Sequence, residues 1–264
     1  MNTSTQRGLG LAAALPAEVI QAASVAARDS GYHSFWLNNP PGGNALESLG
    51  TVANVTPNLW LGVGVIPLTY LQPSQIAQEV LQYQVPTDRF YLGVGSGSGP
   101  GGVERVSEGI RMLRAELDTT IVIGAMGPRM CRLAGREADG VLFNWLTPEW
   151  ARRSAEWVRE AAGRANRPVP RLMAYVRVAL GDGAVARLQE EARRYEAFPH
   201  YAAHFRRMGS SAASTAVTGA TPEEIQRGLA MWDGAVDEAI VRAITAQDTV
   251  EDVTELALAA RPGS

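Results

Sequence analysis

The residues best suited to chemistry are Gly124-Ala125-Met126-Gly127-Pro128-Arg129. They follow a β-branched run from Thr120 to Ile123 and lead into a stretch that Pro128 is suited to open as a helix, since a proline at the first helical position gives up no hydrogen bond. Glycine lets a ligand approach the main chain closely. The free N–H groups of a helix N-terminus carry partial positive charge, so this turn suits a phosphate, with Arg129 as a charged donor. The same Gly and Pro also suit a purely structural strand-to-helix turn.

Two other glycine-rich segments compete for a ligand. Leu61-Gly62-Val63-Gly64-Val65-Ile66-Pro67-Leu68 reads as a strand that is distorted or bulged at its end, facing the mouth of a barrel, or as tightly packed barrel interior. Arg89-Phe90-Tyr91-Leu92-Gly93-Val94-Gly95-Ser96-Gly97-Ser98-Gly99-Pro100-Gly101-Gly102 contains the glycine spacing of a dinucleotide fingerprint. No acidic residue closes a second strand about 20 residues on, however, so a Rossmann reading is rejected.

Other side chains narrow the chemistry. All 24 basic residues are Arg, which removes Schiff-base lysines and any P-loop lysine. Cys131 is the lone cysteine and falls in a helical pattern, so it reads as a buried structural thiol in a reducing compartment. His200 and His204 share a helical face without an accompanying acid, and no metal site is expected. Trp36, Tyr70, Trp145 and Tyr175 fall at or near strand ends, where they would wall a flat substrate or close the barrel. Arg177 lies within a strand and needs a partner if it points inward. Arg187 to Arg207 alternates with Glu190, Glu191 and Glu196, the pattern of a solvated helix face.

These residues must be positioned by strands and helices in alternation. Eight short apolar runs can be counted: Gly8 to Ala13, His33 to Leu37, Leu59 to Pro67, Phe90 to Gly95, Thr120 to Gly124, Gly140 to Phe143, Leu172 to Leu180 and Glu238 to Thr245. Helical patterns separate them, with Pro16, Pro73, Pro128, Pro148 and Pro222 at their starts and Thr147 and Thr221 as N-caps. Such βα alternation over 264 residues predicts one α/β domain, 1–264, a (β/α)8 TIM barrel with few insertions. Ser210 to Thr218 reads as a mobile loop before the last unit. The net charge of −3 argues against nucleic acid, and no run is long enough for a signal peptide or membrane span, so a cytoplasmic protein acting on a small molecule is expected.

Four segments in order, LGVGVIPL, PSQIAQEV, DRFYLGVGSGS and IGAMGPRMCRLAGREADGVLFNWLTPE, resemble the bacterial luciferase-like family of flavin- and deazaflavin-dependent monooxygenases and reductases, over nearly the whole chain. The family fold is the (β/α)8 barrel. The resemblance implies a luciferase-like oxidoreductase using coenzyme F420, with FMN as the alternative cofactor. It implies that Gly124, Ala125, Met126, Gly127, Pro128 and Arg129 bind the cofactor phosphate with Asn144 close by. Gly64, Val65 and Ile66 would lie against the ring, where family members often carry a non-prolyl cis peptide, and Gly95 and Ser96 beside it. A homodimer is the expected assembly.

Two departures from the family pattern concern catalysis. Where many deazaflavin-dependent relatives show an Asp-His pair, this chain reads Trp36-Leu37-Asn38-Asn39, and where some show an acid after the fourth strand's glycines it has Ser98. Asn38, Asn39 and Ser96 are therefore the candidates for polar contact with the ring, though poor general acids. The segment Gly102 to Asp118 is also short, with one helix where many members insert an excursion over the cofactor, which leaves the mouth more open. A non-catalytic protein that binds flavin or deazaflavin is the alternative to an enzyme.

Overall fold

Parallel strands need crossover connections, and in this chain almost every crossover is a helix whose apolar face packs on the sheet. The computed structural model describes residues 5–40 and 42–263. Eight strands close into a barrel: β1 (Gln6–Ala12), β2 (Ser34–Asn38), β3 (Trp60–Pro67), β4 (Phe90–Gly95), β5 (Thr120–Ala125), β6 (Gly140–Asn144), β7 (Arg171–Leu180) and β9 (Glu238–Ile244). Each pairs in parallel with its neighbours, and β9 closes the ring between β7 and β1. This is the α/β TIM barrel expected from the sequence.

Among the described residues ten α-helices accompany the strands: α1 (Ala17–Asp29), α2 (Ala45–Ala53), α3 (Pro73–Gln82), α4 (Gly102–Glu116), α5 (Pro128–Glu137), α6 (Pro148–Arg164), α7 (Asp182–Glu196), α8 (Pro199–Met208), α9 (Pro222–Ala230) and α10 (Val250–Ala259). Pro73, Pro128, Pro148 and Pro222 occupy first helical positions, and the Thr147 and Thr221 side chains accept from the backbone N–H of Trp150 and Glu224. One expectation changes. The segment read as a mobile loop, Ser210 to Thr218, holds a 3-10 turn at Ala213–Thr215 and runs into a ninth short strand, β8 (Val217–Gly219), which pairs with β7. Its small residues pack there: the Ala212 side chain is fully buried and the Thr215 hydroxyl bonds the Ala212 carbonyl.

The barrel interior is a separate apolar cluster of Trp36, Tyr91, Val122, Leu142, Met173, Tyr175 and Ile240. Because side chains alternate across a strand, the residues two positions earlier form the floor and those two positions later form the rim. At the floor, buried Glu238 accepts from the Ser34 hydroxyl and from Arg171, with His33 3.8 Å away. Trp36 fills the middle, stacked on Tyr91 at 5.3 Å, and explains Gly62: any Cβ there would overlap the Trp36 ring. At the rim the same parity places Asn38, Gly64, Gly124, Asn144, Arg177 and Arg242.

Candidate active site

The rim opens into a cavity of about 1240 Å3 at the C-terminal ends of the strands. Asn38, Gly64, Val65, Asn144, Tyr175, Arg177 and Arg242 line it from the barrel, and Asn39 from the loop after β2. Its far wall comes from α7 and the start of α8, including Arg187, Glu191, Tyr195, Phe198 and Tyr201. The expectation of a more open mouth thus needs correction: with one helix between β4 and β5, cover is supplied instead by the α7–α8 pair after β7. The charged stretch from Arg187 is likewise more than a solvated face, because Arg187, Glu190, Glu191, Arg193 and Arg194 all border the cavity.

The β3 segment is distorted as the sequence suggested. Its register against β4 slips between Val63 and Ile66, and the Gly64–Val65 peptide is cis. Gly64 has to be glycine, since a Cβ would come within 2.5 Å of the Tyr175 hydroxyl. Val65 lies across the neighbouring strands, where a Cβ on Gly93, Gly95 or Gly124 would meet its methyl groups at 3.1, 2.8 and 3.1 Å. Gly95 and Gly124, placed at the cofactor by the family resemblance, make room for Val65, whereas Gly93 is required first by the Val63 carbonyl oxygen. Ile66 points into the core and is 1% exposed.

Two buried polar atoms at the cavity have no partner among the described residues: Asn38 Oδ1 and the Tyr175 hydroxyl. A buried polar group without a partner costs about 1–3 kcal/mol, so such atoms mark where a ligand would bond. Burial raises the Tyr175 pKa well above the ordinary phenol range, which keeps the hydroxyl protonated and able to donate. The neighbouring amides are committed: Asn39 Oδ1 accepts from the Ala45 N–H at 3.0 Å, and Asn144 Oδ1 accepts from Arg177 Nη1 at 2.8 Å.

Arg177 points inward and is held from every side. Its Nε donates to Glu191 Oε1 at 2.8 Å, and its guanidinium lies 3.3 Å above the Trp145 ring and 5.3 Å from that of Tyr195. Glu191 is largely buried, which raises a carboxyl pKa, yet Arg177 and Arg242 together hold it below its ordinary value. Trp145 takes a left-handed backbone with φ 54°, a conformation that a bulky residue adopts only when its surroundings hold it there. Its ring is 1% exposed and lies behind Arg177, outside the cavity wall.

The Gly124–Arg129 turn forms a second feature. Gly127 is the N-cap of α5, with Pro128 at its first turn and Arg129 exposed. Sequence reasoning missed Arg207 of α8, whose Nη2 donates to the Met126 carbonyl at 3.2 Å and to His204 Nδ1 at 2.9 Å. A guanidinium only donates, so Nδ1 must accept, and His204 Nε2 therefore carries the proton it gives to the Trp145 carbonyl at 2.9 Å. Burial, aided by Arg207, lowers the His204 pKa and agrees with this neutral form.

Of the sequence candidates, the structure gathers Asn38, Asn39, Gly64, Val65, Asn144 and Tyr175 around one cavity. Ser96 and the Gly124–Arg129 turn lie outside its lining, with the Ser96 carbonyl fixed by Arg105 at 2.7 Å. Trp36 is fully buried beneath the cavity, and Tyr70 is 71% exposed on the turn after β3, so neither forms a wall. Arg242 was overlooked, although it follows Ile240 by two and so shares its inward parity. Among the described residues no cluster of His, Cys, Asp or Glu could hold a metal, and no helix is long and apolar enough to cross a membrane.

A barrel with its polar cleft at the C-terminal ends of the strands has the architecture of a TIM-barrel enzyme. The model of the luciferase-like monooxygenase family matches residues 1–119 and 104–261, and the chain belongs to that family. No curated protein matches the sequence. Among solved structures, the coenzyme F420-dependent tetrahydromethanopterin reductase of Methanopyrus kandleri is similar, with 16% identity, 96% of this chain and 98% of that chain covered, and a TM-score of 0.77. An F420-dependent secondary alcohol dehydrogenase, in complex with an F420-acetone adduct, matches at 14% identity over 98% of this chain and 100% of that chain, with a TM-score of 0.78. The oxygenating constituent of 3,6-diketocamphane monooxygenase from the CAM plasmid of Pseudomonas putida, in complex with FMN, matches at 14% identity over 98% and 99%, with a TM-score of 0.69. At these identities the likeness establishes the shared fold.

Proposed function

We propose that the protein is an oxidoreductase that transfers a hydride between coenzyme F420 and a small organic substrate, with FMN as the alternative cofactor. The observation that carries this reading is the pair of orphaned buried groups, Asn38 Oδ1 and the Tyr175 hydroxyl, on the wall of one cavity beside Gly64 and Val65. One acceptor and one donor suit a heterocycle that presents both N–H and carbonyl groups. The cavity exceeds the roughly 300–1,000 Å3 of most small-molecule sites, which leaves room for two ligands. The α5 N-terminus, Arg129 and Arg207 fit the phosphate that both cofactors carry. F420 is placed first on the resemblance of the LGVGVIPL and GAMGPRM segments and the all-Arg composition, while similar structures are named for F420 and for FMN alike.

The bound cofactor would supply the hydride chemistry, and the protein's share is binding, orientation and exclusion of water. Asn38 and Tyr175 would orient the ring, and Gly64 keeps the Tyr175 hydroxyl accessible by having no side chain. The α7–α8 wall shields the reacting centre from water. No carboxylic acid or histidine projects from β2 or β4 into the cavity, and Glu191 and Asp248 on its wall are bonded to Arg177 and Arg187, so the substrate or water is the proton source this reading favours.

Incubation of the purified protein with F420 or FMN, gel filtration, and an absorbance spectrum of the protein peak test this reading. Retention of one cofactor, followed by reoxidation of its reduced form by a carbonyl acceptor, is the expected result. Retention of neither removes the assignment, and tight retention without turnover across a broad acceptor panel favours a non-catalytic binding protein.

A further inference from the structure

The cavity carries an imbalance of charge that cofactor binding leaves unexplained. Five arginines line it, Arg177, Arg187, Arg193, Arg194 and Arg242, against three carboxylates, Glu190, Glu191 and Asp248. The excess is localised. Arg177 and Glu191 form a pair at 2.8 Å, and Arg187 is held by Asp248 at 2.6 Å and by the Thr245 carbonyl at 2.7 Å. Arg193 and Arg194 lie exposed at the entrance, where water screens them. Arg242 is different. It rises from the barrel rim beside Arg177, its register partner on β7, and is half-buried there against the cavity. Among the described residues it has no carboxylate within salt-bridge distance, and its recorded bond is from Nη1 to the Ala243 carbonyl.

An arginine has five N–H donors and stays charged even where burial lowers its pKa, as it does for Arg242. The two carboxylates whose charges reach it, Glu191 and Asp248, are both engaged with other arginines. A half-buried guanidinium with free donors, no carboxylate partner and a cavity in front of it suits a ligand that supplies the counter-charge. Around it the wall is aromatic, from Tyr175 on β7 and Tyr195, Phe198 and Tyr201 of the α7–α8 cover. Phe198 is 51% exposed at the point where the two helices meet.

We propose that the Arg242 guanidinium is the binding site for a carboxylate on the substrate, and that the substrate is an organic acid whose apolar or aromatic body rests against Tyr195, Phe198 and Tyr201. A planar carboxylate matches the fork of a single free guanidinium and its single charge matches the one cavity-wall cation left without a carboxylate on the rim, whereas a phosphate dianion would carry a second charge unmatched. The exposed Arg193 and Arg194 draw such an anion toward the mouth. That the anion is a substrate rests on the oxidoreductase reading above; the guanidinium site itself does not.

The test compares acids with their uncharged amides by saturation-transfer NMR titration of the protein without cofactor. The probes are 3-phenylpropionate and cinnamate, each against its primary amide, with inorganic phosphate as a third arm. The acids are expected to bind about 10- to 100-fold more tightly than the amides, the worth of charge-assisted hydrogen bonds. Arg242→Gln should erase that preference, and Arg242→Lys should keep part of it. Equal binding of acid and amide, no binding of either acid, tighter binding of phosphate than of the acids, or an acid preference that survives Arg242→Gln overturns the assignment. Should Arg242→Gln fail to fold, unchanged acid affinity in Arg242→Lys overturns it instead, because a point charge lacks the fork. Loss of the cofactor reading would appear separately, as an absent cofactor band after gel filtration, and would leave the acid-over-amide ratio standing.

Discussion

Removing Glu191 tests whether the α7 cover is pinned to the barrel by charge. Arg177 and Glu191 are 5% and 14% exposed, so solvent offers the guanidinium little compensation when its partner is lost. Breaking a buried pair from one side costs about 3–5 kcal/mol. Asn144 and the Trp145 ring still hold Arg177 in the Glu191→Ala variant, and a desolvated cation–π contact contributes about 2 kcal/mol, so a net loss of about 1–3 kcal/mol is expected. For a chain of this size that lowers the thermal midpoint by about 2–12 °C. Removing both charges in Arg177→Met/Glu191→Ala should recover much of the loss, since no buried charge is left alone. The pH dependence has a defined sign. The folded pKa of Glu191 is depressed, so its contribution is present above the unfolded value near 4.5 and disappears as pH falls through the folded value. Scanning calorimetry of the two single variants and the double variant, at neutral pH and below 4, measures each quantity. Additive losses in the double variant, or a drop under 2 °C for Glu191→Ala, would refute the claim that this pair fastens the cover.

Three further outcomes follow from other contacts. Acidification should loosen α8: the depressed pKa of His204 means that its neutral form stabilises the fold above the unfolded value near 6.5, and this is lost as pH falls through the lower folded value. The hydrogen-exchange protection factors of residues 199–208 should therefore fall between pH 7.5 and 5 relative to those of α10, and an equal change in both helices would count against it. Arg207→Ala should weaken retention of the bound cofactor about tenfold with little change in midpoint, measured by equilibrium dialysis, because the side chain is exposed and acts at the α5 turn. Gly62→Ala should cost about 1–3 kcal/mol or more in urea unfolding, since the Trp36 ring it would strike is wedged against Tyr91 with nowhere to move; an unaffected variant would show that the barrel interior is looser than described.

The strands and helix starts were readable because their signals are local. A β-branched run, a Pro at the first helical position and a Thr cap each act within a few residues, and all eight barrel strands fall where periodicity placed them. What failed was anything decided across the barrel. Gly95 and Gly124 resemble ligand-facing glycines in one dimension, yet the neighbour that requires them is Val65, one and two strands away. Trp36 and Tyr70 both sit near strand ends, but parity turns the first into the barrel core and the β3 turn carries the second outward. The Ala-Ser run before β8 looked like a linker because its burial depends on an edge of β7 that the segment itself does not encode.

The same logic explains why the basic floor of the cavity was hidden. On α7 the acids and arginines alternate at helical spacing, the pattern of a solvated face, and nothing in that helix alone distinguishes Glu191 from Glu190. The distinction comes from Arg177 and Arg242, which lie far apart in sequence but become register partners when β9 closes the barrel beside β7. Once the two guanidiniums share a rim, a single carboxylate from the cover can be hydrogen-bonded to one of them, and it is bonded to Arg177. The cover and the anion site are therefore coupled: withdrawing Glu191 loosens α7 but also removes the negative charge nearest to both arginines in effect, so Glu191→Gln should bind 3-phenylpropionate more tightly than the unaltered protein even as it melts earlier. Affinity and stability moving in opposite directions is the mark of a carboxylate that competes with the ligand, and a fall in both would instead make Glu191 part of the binding wall.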